Sequence, residues 1–195
     1  MKFSAALAFG IAVTGALAAP TSTEETPDHP VPPPSDLIWP SNTYRFWVHD
    51  GHAIQDPQDQ LLVVRNGNVR DETTTIVTFD PKPEFAGRTC RLRIDLWNRD
   101  VSTGSQQADV FSWIGPLPNT LNVAKVDEIR PFSRGVQKGR ITLPKPGQSQ
   151  WIQQYDGYPE FPCPQELMAI EFVSAGQELA LRWDIGATGP RIELV

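Results

Sequence analysis

The sequence predicts an all-β protein, an antiparallel β-sandwich of which the jelly roll is one form. Short runs alternate apolar and polar residues, and no stretch of ten or more keeps the 3.6-residue apolar period of a helix. Turn residues such as Gly, Asn and Pro separate these runs at short intervals. Eight or nine short strands spaced in this way are typical of two packed antiparallel sheets.

The clearest strand begins at Cys90, after a proline-containing turn and Gly87. Its alternation sends Cys90, Leu92, Ile94 and Leu96 to one face and Arg91, Arg93 and Asp95 to the other. The first set is therefore predicted to enter the core and the second to be solvated. Truncating a core member such as Leu92 is then expected to destabilise far more than removing Arg93.

Further alternating runs cover residues 61–64, 73–79, 109–114, 136–143, 150–152, 167–173, 178–185 and 191–195. In the run 178–185, Trp183 shares its face with Leu179 and Leu181, so this indole is predicted to lie in the core. Asn66-Gly67 predicts a tight turn, and residues 173–177 predict a hairpin loop between two strands.

Three segments are predicted along the chain. Residues 1–19 combine Lys2, an apolar run and a small-residue cleavage pattern, which indicates a secretory signal peptide. Residues 20–40 are rich in Pro, Thr and Ser, a composition that favours an extended linker. Residues 41–195 remain for one domain, long enough to bury a core.

The chain has two cysteines. Because export places them in an oxidising environment, one disulfide between Cys90 and Cys163 is predicted. A reactive thiol is the alternative. It is disfavoured because Arg88 and Arg91 are the only basic residues close to either cysteine in sequence.

The region from Phe79-Asp80 through a proline-containing turn to Phe85-Ala86-Gly87-Arg88-Thr89-Cys90 also carries a family resemblance. Together with Asn66-Gly67, a late Phe161-Pro162-Cys163-Pro164 and a closing run from Gly189 to Val195, it resembles the fungal But-two C-terminal domain, or ubiquitin 3 binding, family. The resemblance spans about residue 44 to the C-terminus. It implies a fold and supplies no catalytic motif. The family name implies a regulator of ubiquitin-like protein conjugation, an intracellular role that the predicted signal peptide opposes.

Charge narrows the range of partners. The chain carries 17 basic and 23 acidic side chains, and removing Lys2 with the signal peptide leaves 16 against 23, a net charge of −7. This balance disfavours nucleic acid and anionic membrane as non-specific partners. A basic stretch at Arg130, Arg134, Lys138 and Arg140 is interpreted as a solvated loop.

Few residues suggest catalysis or metal binding. His49 and His52 are weak metal candidates, because Gly51 would have to turn the chain and Asp56 or Asp59 would have to supply a third ligand. Glycoside hydrolysis would need two of the carboxylates Asp95, Glu171, Asp184 and Glu193, each placed on a solvated face by alternation. The sequence has no nucleophile elbow and no phosphate-binding loop, so no catalytic residue and no cofactor is predicted.

The tryptophans point to binding. Trp97 follows the polar face of its strand, while Trp47 and Trp151 lie near strand ends. Exposed indoles beside polar side chains stack on sugar rings or anchor a protein partner; the alternative is that Trp97 packs over the open end of the sandwich. The sequence thus predicts a secreted, non-catalytic protein that binds polysaccharide or another protein outside the cell or in the cell wall. A carbohydrate-active enzyme with an unrecognised site and a regulator of ubiquitin-like conjugation are the alternatives.

Overall fold

The computed structural model describes residues 34–115, 117 and 134–195. The predicted signal peptide and most of the predicted linker lie outside these residues. Within the described part, no helix has the length and apolar character needed to cross a membrane. Fifteen strands are present there: β1 Leu37–Ile38, β2 Asn42–Trp47, β3 Ala53–Gln55, β4 Val63–Arg65, β5 Thr73–Phe79, β6 Thr89–Leu96, β7 Val101–Gly104, β8 Gln107–Trp113, β9 Arg134–Thr142, β10 Gly147–Gln148, β11 Gln150–Gln154, β12 Glu160–Pro162, β13 Met168–Ser174, β14 Leu179–Arg182 and β15 Gly189–Leu194. Two short 3-10 helices, Pro34–Asp36 and Pro83–Phe85, accompany them.

The strands form two antiparallel sheets. The smaller sheet has the order β1-β15-β6-β10, and β12 also pairs with β6. The larger, ten-stranded sheet has the order β11-β9-β8-β13-β5-β4-β14-β7, with β2 beside β5 and β3 beside β2. All the residues of β5 are buried, as expected for a strand that is covered on both faces.

The main core lies between the two sheets. The smaller sheet contributes Cys90, Leu92, Ile94 and Leu96, and the larger sheet contributes residues such as Phe79, Phe172 and Leu181. The inward register predicted for β6 is therefore confirmed, as is the core position of Trp183, which is 3% exposed. The β-sandwich prediction is confirmed as well.

The predicted disulfide is present. Cys90 and Cys163 are bonded within the main core, across a sequence separation of 73 residues. Cys90 enters β6, and Cys163 follows β12, which pairs directly with β6. On the chain-entropy account, whose mechanism is disputed, closing a loop of this length stabilises the fold by about 4 kcal/mol.

A second apolar cluster covers the opposite face of the larger sheet. It consists of Tyr44, Phe46, Ala53, Ile76 and Trp113. Because neighbouring residues of a strand face opposite sides, Ile76 belongs to this cluster whereas Val77 belongs to the main core. The larger sheet therefore has apolar packing on both faces, and sequence alternation alone did not show this.

Several details differ from the sequence predictions. Residues 173–177 were predicted as a hairpin loop, but β13 pairs with β5 and β8 whereas β14 pairs with β4 and β7. This loop therefore joins two strands that do not pair with each other. Asn66-Gly67 does turn the chain, with Gly67 at φ +85°, yet β4 and β5 share only the pair Val64 and Thr73. The first strand, β1, lies inside the segment predicted as a linker, because Leu37 and Ile38 are buried against β15.

The outer face of the smaller sheet is not solvated as predicted. Asp95 and Arg191 are 4% and 2% exposed and form an ion pair. Arg93, whose side chain is 11% exposed, adds a contact of 2.9 Å from its Nε to Oδ2 of Asp95. The ring of Trp39 lies over Arg191, with 5.7 Å between the guanidinium carbon and the ring centroid. Charges that alternation assigns to the surface are therefore covered by the segment that follows β1.

The buried position of Arg191 changes its acid-base behaviour. Burial, followed by the charge of Arg93, lowers the pKa of Arg191 to about 10. The guanidinium therefore stays protonated at neutral pH. The pKa of Arg191 in the folded state lies below its ordinary value, so protonated Arg191 by itself destabilises the folded state. This destabilisation decreases only as the pH rises above about 10. The charge of Glu193 opposes this lowering of the pKa, and Asp95 is the carboxylate in direct contact with the guanidinium.

Glu171 likewise departs from the prediction of a solvated carboxylate. Its side chain, in β13, is 1% exposed, and its oxygens accept hydrogen bonds from Arg134 at 2.6 and 2.7 Å and from the hydroxyl of Thr74 at 2.7 Å. The hydrogen bonds to Glu171 raise the pKa of Arg134. Alternation did place Glu171 on the face away from the main core, but the second apolar cluster shields that face.

The basic stretch shows the same pattern of pairing. Besides Arg134, Lys138 contacts Asp156 and Arg140 makes a two-bonded contact with Asp109 at 2.8 and 3.0 Å. Arg130 lies outside the described residues. Each of the three described cations thus has a carboxylate partner.

Candidate functional site

A small polar cavity lies where three connections meet at one end of the sandwich. Its volume is about 60 Å³. We call it the loop pocket. The lining residues come from the segment between β3 and β4, the turn between β6 and β7, and the end of β14 with the connection that follows: Gln58, Asp59, Arg99, Asp100, Arg182, Trp183, Asp184 and Ile185.

The turn between β6 and β7 is closed by Asp100. One oxygen of its carboxylate accepts the backbone N–H of Trp97 at 2.6 Å, and the Asp100 N–H donates back to the Trp97 carbonyl at 3.0 Å. The other oxygen accepts the backbone N–H of Asp184 at 3.1 Å. Asp100 is 2% exposed, so its two oxygens are used to join two loops that are far apart in sequence.

The connection after β14 is fixed by its own backbone. The Asp184 carbonyl accepts the N–H groups of Ala187 and Thr188 at 3.0 and 2.9 Å, and the Asp184 N–H donates to the Thr188 hydroxyl at 2.9 Å. Gly189 returns the chain to β15 at φ +89°, and a side chain there would come within 2.4 Å of the Trp183 ring. Glycine therefore lets Trp183 lie under the loop pocket.

Two guanidinium groups form the walls. Arg99 contacts Asp184 at 2.9 Å, and its guanidinium lies over the Trp97 ring at 4.8 Å. Arg182 donates to the Arg99 carbonyl at 2.7 Å and lies 3.7 Å from Asp59. The side chains of Arg99 and Asp184 are 50% and 41% exposed, so this ion pair faces solvent.

The loop pocket combines groups that recognise neutral polar molecules. Guanidinium groups donate hydrogen bonds, carboxylates accept them, and the amide of Gln58 does both. Asp100 is committed to two backbone N–H groups, whereas Asp184 and Asp59 face the guanidinium groups of Arg99 and Arg182 at the solvent side. The arrangement is therefore suited to binding hydroxyl groups.

Of the three indoles predicted to bind a ligand, Trp97 lies beside the loop pocket. Trp47, at the end of β2, is contacted by Arg45 at 4.4 Å and by the His52 ring at 5.2 Å. Trp151, in β11, packs against the main core and the Tyr158 ring at 5.7 Å. No ring contact among the described residues joins two of these three indoles.

The side chains of the two histidines, His49 and His52, contact different residues. His49 lies 3.3 Å from the carboxylate of its neighbour Asp50, while the His52 ring packs against Trp47 at an interplanar angle of 42°. Gly51 does turn the chain, at φ +71°. Across residues 34–115, 117 and 134–195, no three His, Cys, Asp or Glu side chains are grouped so that they could hold a metal ion.

A second depression, of about 480 Å³, runs along Pro144 to Gln150. It is wider and more open than the loop pocket, and its lining residues are Pro144, Pro146, Gly147, Gln148, Ser149 and Gln150. None of these side chains carries a charge, so the depression lacks the guanidinium and carboxylate groups of the loop pocket.

The sequence singles out Trp97 and Asp184 without grouping them, places Arg182 on a solvated face, and indicates no role for Gln58 or Arg99. The polar turn Trp97-Asn98-Arg99-Asp100 is the available signal, because an aspartate can bond the backbone of the residue three positions before it. The meeting of this turn with residues 58–59 and 182–185 depends on strand order, which local sequence does not reveal.

Comparison with protein-family models found none that matches the chain, and a search of curated proteins found no match. The resemblance to the But-two C-terminal family therefore stays a prediction.

Proposed function

We propose that this chain is a secreted binding protein without catalytic machinery, and that its loop pocket binds extracellular or cell-wall polysaccharide. The observation that carries the proposal is the mixed lining of the loop pocket, where Arg99, Asp184 and Gln58 surround a small cavity above Trp183. Sugar hydroxyls both donate and accept hydrogen bonds, and such a lining can satisfy both roles. The predicted signal peptide and the disulfide support an extracellular location.

The Arg99–Asp184 ion pair is suited to exchange partners with a ligand. Both side chains are about half exposed, and an exposed ion pair contributes only about 0 to 1 kcal/mol. Sugar hydroxyls can therefore take over part of these contacts at little cost. The Trp97 ring keeps the Arg99 guanidinium in place while this happens.

The test is to replace Asp184 by alanine and to measure retention of the purified protein on glucan, mannan and chitin. The Asp184 side chain contacts Arg99, whereas the backbone atoms of Asp184 make the bonds that shape the loop. Asp184→Ala should therefore weaken retention about tenfold to a hundredfold, the range for a hydrogen bond to a charged group. The melting temperature should change little.

Glu160→Ala is the matched control, because Glu160 is also a half-exposed carboxylate paired with an arginine, Arg91. Its retention should equal that of the unmodified protein. Equal losses in the two variants, or no loss for Asp184→Ala, would contradict the assignment of binding to the loop pocket.

A further inference from the structure

The turn between β4 and β5 presents an asparagine that is followed by glycine. Residues 66–71 are all exposed, and glycine follows Asn66 but none of the chain's other asparagines. The base of the turn is held by Arg65, whose guanidinium contacts the Glu72 carboxylate and donates to the Ser174 carbonyl at 3.2 Å. The turn is therefore fixed at its base and open to water at its tip.

Gly67 leaves its own backbone nitrogen accessible. Its φ is +85°, and in the described structure no heavy atom apart from those of its chain neighbours lies within 4 Å of the position that a Cβ would take. A side chain on the residue after an asparagine hinders the approach of the backbone nitrogen to the asparagine side chain, and glycine has none. The Gly67 nitrogen can therefore approach Cγ of Asn66 without this obstruction.

The carboxamide of Asn66 is oriented by two hydrogen bonds. Its Oδ1 accepts the backbone N–H of Asn68 at 2.9 Å, and its Nδ2 donates to Oδ2 of Asp71 at 3.4 Å. A donor on the carbonyl oxygen polarises the bond from Cγ to Oδ1 and stabilises the negative charge that develops on this oxygen when a nucleophile adds to Cγ. The turn thus combines an accessible nucleophile with an activated carbonyl group.

We infer that Asn66 is a site of spontaneous modification, at which the backbone nitrogen of Gly67 attacks Cγ of Asn66 to form a cyclic imide. The Gly67 amide loses its proton to water, a bond forms between its nitrogen and Cγ, and the bond from Cγ to Nδ2 breaks with release of ammonia. Water then opens the imide at either of its two carbonyl groups. The products are aspartate and isoaspartate at this position.

The modification adds a negative charge at the tip of the turn. Asp71, which accepts a hydrogen bond from the amide of Asn66, then faces a carboxylate instead. The loop pocket lies at the other end of these strands, because Arg65 pairs with Leu179 at the start of β14, whereas Arg182 lines the pocket at the end of β14. The site is therefore separate from the proposed polysaccharide binding.

The experiment incubates the purified, folded protein at mildly alkaline pH and follows each asparagine by peptide mass spectrometry, which detects replacement of an amide by a carboxyl group. Asn68 is the internal control, because it lies in the same exposed turn and its Oδ1 also accepts a backbone N–H, from Arg70 at 3.2 Å, but valine follows it. We expect Asn66 to convert at least about tenfold faster than Asn68, a difference of about 1.4 kcal/mol in the barrier. Asn66→Gln should abolish conversion in the turn, since its carbonyl lies one methylene further from the Gly67 nitrogen.

The same incubation in urea isolates the effect of the fold. Asn66 should convert at least as fast in the folded protein as in the unfolded chain, because the folded turn keeps the Asn68 N–H on the carbonyl oxygen. Conversion of Asn66 no faster than that of Asn68, or faster in the unfolded chain than in the folded protein, would overturn the inference. These rates are read from mass alone, so they do not depend on whether the protein binds polysaccharide.

Discussion

Replacing Asp95 by alanine should lower the free energy of unfolding by about 3 to 5 kcal/mol, the range for removing one partner of a buried ion pair. Asp95 faces two cations, Arg191 and Arg93, whose side chains are 2% and 11% exposed. Without the Asp95 carboxylate, both guanidinium groups remain buried side by side, and Glu193, 3.5 Å from Arg93, is a carboxylate that still lies near them. Burial and Arg93 already disfavour the protonated form of Arg191, so hydration cannot easily replace the lost anion.

Chemical denaturation of Asp95→Ala and of the unmodified protein measures this loss. Asp156→Asn is the control, because Asp156 is 60% exposed and pairs with Lys138, and Asn tolerates its φ of +53°. That variant should lose less than about 1 kcal/mol. A loss for Asp95→Ala no greater than for Asp156→Asn would show that the ion pairs of the smaller sheet are accessible to water.

The second large effect should be a difference in the free energy of unfolding between variants of the two partners of the Arg134–Glu171 ion pair. Arg134→Ala leaves the Glu171 carboxylate, 1% exposed, with the Thr74 hydroxyl as its one remaining side-chain donor among the described residues. We expect a loss of about 3 to 5 kcal/mol. Glu171→Gln leaves Arg134 without its anion, but that side chain is 43% exposed and can be hydrated, so the loss should be about 1 to 2 kcal/mol.

The free energies of unfolding of these two variants can be compared with that of Arg140→Ala. Arg140 also makes two hydrogen bonds to a carboxylate, but Asp109 is 16% exposed and keeps a hydrogen bond from Gln137 at 3.0 Å. The loss in the free energy of unfolding for Arg140→Ala should therefore be much smaller than the loss for Arg134→Ala. A Glu171→Gln variant that loses as much as Arg134→Ala would contradict the asymmetry and the exposure on which it depends.

For Asp95 and Glu171, alternation correctly predicts a side chain on the face away from the main core, but it predicts exposure to solvent where the structure shows burial. Alternation along β6 correctly separates Leu92 from Arg93 and Asp95. It says nothing about what lies over the second face. Trp39 covers Arg191, and a second apolar cluster shields the face that carries Glu171. Both coverings come from segments distant in sequence, so the two carboxylates could not be recognised as buried beforehand.

The loop pocket shows the same limit. Trp97 stood out as an indole on a polar face, but its partner Arg99 lies over the ring and turns toward Asp184. Asp184 is 85 positions further along the chain. What brings them together is the pairing of β15 with β6 and of β14 with β7, which sets the two loops side by side. Strand order of this kind follows from tertiary packing, and one sequence read alone does not contain it in recognisable form.

The most direct measurement is to follow backbone amide and indole N–H resonances of isotopically labelled protein while a linear β-glucan, mannan or chitin fragment that retains it is added. Binding in the loop pocket predicts that shifts concentrate at Gln58, Arg99 and Asp184 and at the indole N–H of Trp97. Residues around Trp47 and Trp151 should stay unchanged. Binding in the loop pocket would be contradicted if, at saturation, resonances shifted only in the Pro144–Gln150 depression or at Trp47 and Trp151 and none shifted in the loop pocket.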